Sequence, residues 1–118
     1  MIAIEDLRDW RGTAVITQDG AKIGSMEAVY FDTATQEPAF VSVRVGLPIS
    51  AKLVFVPLTD ATVAPKYLRV TVDKKAARAA PFIEVDGELE ADAEPAVYAH
   101  YGMPYQTGSS GERRLGRR

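Results

Sequence analysis

The stretch GAKIGSMEAVYFDTATQEP, residues 20–38, decides how the chain is arranged. It opens on the turn Gln18-Asp19-Gly20, where Asp-Gly supplies the positive φ that a tight hairpin needs. It closes on the polar turn Thr33-Ala34-Thr35-Gln36-Glu37. Between the turns the residues read as one long strand, Lys22 to Asp32. Its apolar positions do not alternate cleanly. Gly24 has no side chain and sits two residues in, which marks a bulge or a sharp bend. A bent strand can serve both sides of a small barrel. Asp32 and the threonine hydroxyls can accept from the N–H groups of their own turn. Pro38 then opens the following strand, where a missing donor is tolerated.

Outward from this stretch the pattern repeats. Thr13 to Thr17 (TAVIT) is short and β-branched, hence a strand. Ala39 to Gly46 alternates, with Phe40, Ser42 and Arg44 on one face and Val41, Val43 and Val45 on the other. The valine face is expected to point to the core. Leu47 to Ala51 reads as a loop. Leu53 to Pro57 (LVFVP) is apolar throughout, as a strand covered on both sides is. Two more short strands, Asp60–Ala64 and Tyr67–Val72, flank the turn Ala64-Pro65-Lys66. Five or six short strands with turn signals roughly every 8 to 12 residues give a mainly β protein, a small antiparallel β-barrel or sandwich. Ahead of it, Ile4, Leu7 and Trp10 form one amphipathic turn ended by Gly12. Trp10 is expected to cover one end of the core; stacking on a ligand is the sharper alternative.

After Val72 the signals change to helical. Asp73 is an N-cap for Lys74–Ala79, and Pro81 stops that helix. From Phe82 to Glu94, acids at 84, 86, 88, 90, 92 and 94 bracket Ile83, Val85 and Leu89. Extended backbone would lay the apolar side chains on the barrel and turn the acids to water. A second helix runs from about Ala93 to Tyr101, capped by Asp92, with Pro95 in its first turn and Gly102 ending it. Both helices are expected to pack against the barrel. Residues 1–105 then form one domain, and 106–118 a disordered basic tail without periodicity.

A chain of 118 residues fits one domain with one modest core. It has no cysteine, which removes disulfide and thiolate chemistry. No apolar run reaches the length of a membrane span, so no membrane insertion is expected. The first residues lack the basic-then-apolar order of a signal peptide, and the expected location is cytoplasmic. The formal charge of −2 is uneven. The tail sets Arg113, Arg114, Arg117 and Arg118 against Glu112, a net of three positive charges, which leaves five negative on the remainder. An acidic body repels phosphate and disfavours nucleic-acid binding outside the tail.

Several motifs now stand in order: D-G-x-K-I-G at Asp19–Gly24, D-x-x-T-x-E-P at Asp32–Pro38, F-V-P-L at Phe55–Leu58, R-V-x-V-x-K at Arg69–Lys74, D-G-E-L at Asp86–Leu89 and Y-x-H-Y-G at Tyr98–Gly102. Together they resemble the PRC-barrel family, in the form of stand-alone actinobacterial proteins, over about residues 5–105. The resemblance implies a small β-barrel whose relatives dock to other proteins and often self-associate. Those relatives include the reaction-centre H subunit, a bacterial ribosome-maturation factor and archaeal cell-division proteins; others accompany a stress-related domain. It implies no catalytic residue set. The chain departs from the two best-known relatives in having no membrane helix and no RNA-processing domain.

The residues themselves carry few chemical motifs. His100 is the only histidine and sits near a helix C-terminus, where it can bond the last carbonyls. The DGELE segment misplaces its Gly for an EF-hand. D-G-x-K-I-G lacks the pattern of a phosphate loop and feeds a strand. The expectation is therefore a non-catalytic scaffold or interaction module, without metal or cofactor, forming a homodimer. The candidate interaction surface is Phe40, Leu47, Ile49, Tyr98, Tyr101 and Tyr105. Two alternatives stand beside it. One is a small-molecule or divalent-ion sensor using the barrel mouth near Trp10 or the stretch Glu84–Glu94. The other is an adaptor binding RNA or another anionic partner through the arginine tail.

Overall fold

The computed structural model describes residues 11–46, 48–106 and 113–117. The expectations for Ile4, Leu7, Trp10 and Leu47 lie outside these residues. The strands are β1 (Ala14–Ile16), β2 (Lys22–Asp32), β3 (Pro38–Val45), β4 (Lys52–Pro57), β5 (Thr62–Ala64), β6 (Tyr67–Arg69), β7 (Phe82–Glu84) and β8 (Leu115–Arg117). Among the described residues two α-helices lie between strands, α1 (Lys74–Arg78) after β6 and α2 (Glu94–His100) after β7. The sheet order is β5-β6-β1-β2-β3-β4-β7, with β8 beside β2. The mainly β reading with short C-terminal helices holds, and the pairings are antiparallel except β1 with β6.

β2 is the long strand expected between its two turns, and its irregular pattern has a geometric cause. Val15 pairs with Gly24 while Ile16 pairs with Lys22, so Ile23 is an extra residue in β2. Met26 pairs with Val43 while Ala28 pairs with Ser42, so Glu27 is another. Each bulge resets which face the next side chain takes, and Ile23, Met26 and Val29 all reach the same core. At Gly24 the backbone of β3 comes too close for any side chain: a Cβ there would lie 2.1 Å from the Arg44 carbonyl oxygen. The hairpin turn before β2 carries φ of 90° at Gly20, closed by Ala21 N–H donating to Thr17 Oγ1 at 3.0 Å. In the turn after it, Asp32 Oδ1 accepts from Ala34 N–H at 2.7 Å and Thr35 N–H at 3.2 Å.

β3 and β4 are covered on both faces. The inner face contributes Val41, Val43, Val45, Val54 and Val56 to a core shared with Val15, Ile23, Leu68, Val70 and Ala77. The outer face contributes Phe40 and Phe55 to a second core with Ala28, Tyr30, Leu89, Val97, Tyr98 and Leu115. Reading Phe40 and Ser42 as an outward face is thus corrected: both are 0 % exposed, and only Arg44 of that face reaches water. The second layer consists of residues far along the chain, so local alternation does not signal it.

The C-terminal half brings three further corrections. Asp92 does not cap α2; residues Ala91–Ala93 form a 3-10 turn, and the helix starts after it with no side-chain cap. His100 bonds across to the other helix, Nε2 to the Ala76 carbonyl at 2.7 Å, in place of its own last carbonyls. The tail is ordered over 113–117: Leu115, Gly116 and Arg117 pair with Asp32, Phe31 and Tyr30. β1 covers only the first half of that edge of β2, and β8 satisfies the backbone groups of the second half. Other readings stand as expected, with Asp73 accepting from Ala76 N–H at 2.7 Å and Gly102 at φ 68°.

Gly24→Ala should cost about 3 kcal/mol, the upper end for overpacking, because the obstructing atom is backbone. Urea denaturation checks it: the midpoint should fall without a change in slope.

Candidate interaction surfaces

The residues proposed from sequence as an exposed patch do not form one. Phe40 and Tyr98 are buried and meet edge-to-face, ring centroids 5.2 Å apart. Tyr105 meets Tyr98 edge-to-face at 5.0 Å, and Tyr101 lies half-buried over Phe40. Tyr101 donates its hydroxyl to the Phe55 carbonyl at 2.6 Å. These aromatics close the second core from within, which corrects their reading as a docking face. Ile49 is the member that remains outside, 100 % exposed. Burial pushes the Tyr98 hydroxyl up to about 12 and raises that of Tyr101 further.

Tyr105 leads to a group that sequence reasoning misassigned. Glu94 was expected to point to water with the other acids of its series; it is 0 % exposed. Glu84, Asp86, Glu88, Glu90 and Asp92 are exposed as expected. Glu94 Oε1 accepts from the Tyr105 hydroxyl at 2.7 Å and from Arg114 N–H at 2.9 Å. Its Oε2 accepts from Arg113 Nε at 2.7 Å, and Arg113 Nη2 also reaches the Leu89 carbonyl. Arg114 forms a second ion pair, its Nε to Asp32 Oδ2 at 2.7 Å. Asp32 therefore shapes its turn with one oxygen and holds the tail with the other. Between the two ion pairs and the strand, Leu115 enters the second core with no exposure. Gly116 lies beneath the Phe31 ring, where a Cβ would come within 2.5 Å.

Two surface features face outward. On the edge strand β7, Phe82 is 53 % exposed, with the Lys52 ammonium 4.3 Å above its ring. Beside it runs an open groove of about 670 Å³ between α1 and α2, floored by Ala79, Ala96 and Ala99 and rimmed by Arg78 and His100. On another side, Lys22, Arg44 and Arg78 line an open cleft of about 570 Å³ over Gly24. Among the described residues, no three acids or histidines converge to hold a metal ion. No described helix is long and apolar enough to cross a membrane.

A family model of the PRC-barrel domain matches residues 4–77. The chain belongs to the PRC-barrel family. No curated protein matches the sequence. The matched stretch of this PRC-barrel protein ends within α1. It contains every strand of the inner core but not Leu89, Glu94, Val97, Tyr98 or Leu115. The layer over the outer face of β2–β4 thus lies beyond the family match. No motif in the sequence marks Glu94 as special; its burial follows from donors that arrive some twenty residues later.

Glu94→Gln keeps the shape but turns one acceptor into a donor facing Arg113. Truncating a fully buried pair costs about 3–5 kcal/mol; Arg113 is 39 % exposed, so about 2 kcal/mol is expected here. Denaturant titration measures the loss, and limited proteolysis should cut the tail of the variant first. Alkaline pH gives an independent check. Both states hold the Tyr98 proton below the ordinary tyrosine value of about 10. Above it the unfolded chain loses its proton first, so stability falls as pH rises from there through about 12. Tyr98→Phe should flatten that decline in alkaline unfolding curves followed by circular dichroism.

Proposed function

We propose that this PRC-barrel protein is a non-catalytic interaction module that self-associates and acts in the cytoplasm. The observation that carries the reading is the edge strand β7. Its outer backbone groups have no neighbouring strand among the described residues, and it presents Phe82 beside an alanine-floored groove. An exposed edge with an aromatic side chain is a template for pairing with another chain, and a two-fold partner closes such an edge symmetrically. Aromatic residues set in shallow apolar surroundings are the usual anchors of such contacts. The resemblance that the sequence carries to docking domains supports the same reading.

The anionic-partner reading moves from the tail to the body. Arg113 and Arg114 are engaged with Glu94 and Asp32. The cations that converge on open space are Lys22, Arg44 and Arg78. A small anion bound there would be a ligand of the module and leaves the interaction reading intact. A carboxylate placed at Arg44 should abolish any inorganic phosphate binding seen by calorimetry.

Light scattering tests the main reading. The wild-type chain should show a mass near twice 12.8 kDa at high micromolar concentration. Phe82→Asp should lower that mass with unchanged circular dichroism. A strict monomer for the wild type refutes self-association.

A further inference from the structure

The segment 113–117 is held in the way a bound peptide is held. Four of its five residues are met by separate devices. Arg113 meets the buried Glu94 carboxylate, and Arg114 meets Asp32. Leu115 is fully buried in the second core, and Gly116 passes under the Phe31 ring, which an added Cβ would push aside. The backbone adds a strand to β2, with Thr33 N–H donating to the Arg114 carbonyl at 2.8 Å and Thr33 Oγ1 donating to the Arg113 carbonyl at 2.7 Å. Strand addition for affinity plus pockets for alternate side chains for specificity is how sheet edges bind extended peptides. None of these contacts depends on residues 107–112, which join the segment to the domain.

Resting on the reading of a self-associating module, we propose that this groove accepts residues 113–117 of a second copy, so that two chains pair by reciprocal exchange of β8. The occupant follows from the fit. The groove selects two arginines, a leucine and a glycine in order, and every copy of the chain carries that sequence. Exchange reproduces each ion pair and strand bond between chains. Identical elements traded between protomers are a low-cost route to dimers.

Charge reversal tests the exchange with full-length chains that also carry Phe82→Asp, so that the β7 edge adds no mass. Asp32→Arg spoils the groove and leaves the tail intact; Arg114→Asp spoils the tail and leaves the groove intact. Each variant alone repels its own segment. In an equimolar mixture, each tail fits the other chain's groove, and the mass by light scattering should roughly double relative to either variant alone. A mixture that keeps the monomer mass while both variants retain wild-type circular dichroism overturns the proposal. A second measurement covers the case in which Asp32→Arg fails to fold, since that aspartate also shapes its turn. A fluorescent peptide of residues 112–118 should bind the Arg114→Asp chain at least about tenfold tighter than the wild type, whose groove already holds a wild-type segment. A peptide carrying Leu115→Asp should not bind. Equal binding to both chains, or none, overturns the exchange. A wild-type dimer dissolved by Phe82→Asp, together with a silent mixture, would overturn exchange while leaving self-association standing.

Discussion

A carboxylate with no exposure to water must find donors, and the position of Glu94 shows what that constraint organises. Removing such a group from water costs several kcal/mol. A charge-assisted bond returns about 1.5–3 kcal/mol, so no single partner suffices. The side chain is satisfied by a tyrosine hydroxyl, an arginine and the main chain of the incoming tail. These donors come from three places in the last quarter of the sequence. Burying one charge therefore fixes where α2, Tyr105 and the tail must lie relative to each other. Leu115 can enter the second core only in that arrangement, and its burial, about 1.5–3 kcal/mol for such a side chain, reinforces it.

The same constraint explains why the sheet carries two cores. A β-sheet with apolar residues on both faces needs two coverings. The inner face of β2–β4 is covered by the sheet's own other strands and by α1, through Val15, Leu68, Val70 and Ala77. The outer face has Tyr30, Phe40 and Phe55 and no strand to cover it. Val97, Tyr98, Leu89 and Leu115 provide that cover, and the Glu94 network ties it down. The edge-to-face contacts of Phe40 with Tyr98 and of Tyr30 with Phe55, 5.1–5.2 Å between centroids, are the contact geometry aromatic pairs prefer.

What could be read from the sequence divides along this line. Turns declare themselves through single residues, so Gly20, Asp32, Pro38, Asp73 and Gly102 were legible, and with them the bounds of β2. The absence of space at Gly24 was legible as a bend, though the extra residues sit at Ile23 and Glu27. Burial decided by distant residues was not legible. Phe40 and Ser42 alternate with valines and so resemble a solvated face until a second layer is placed on them. Glu94 continues a series of exposed acids at every second position, and nothing local separates it from Asp92. A three-residue strand with one leucine has no periodicity; only its partner β2 makes it a strand. The aromatic residues read from sequence as an outward patch because the residues that cover them lie far along the chain.

The division also bears on where function can vary. The family match covers the strands of the inner core and stops within α1. Everything that seals the outer face comes after it. The barrel portion thus offers a fixed apolar face and the edge of β2, and the chain's later residues decide what occupies them. Here the occupant is the chain's own C-terminal segment, addressed through two carboxylates, one pocket and one strand edge. Such contacts specify the chemistry of the occupant and not its covalent origin.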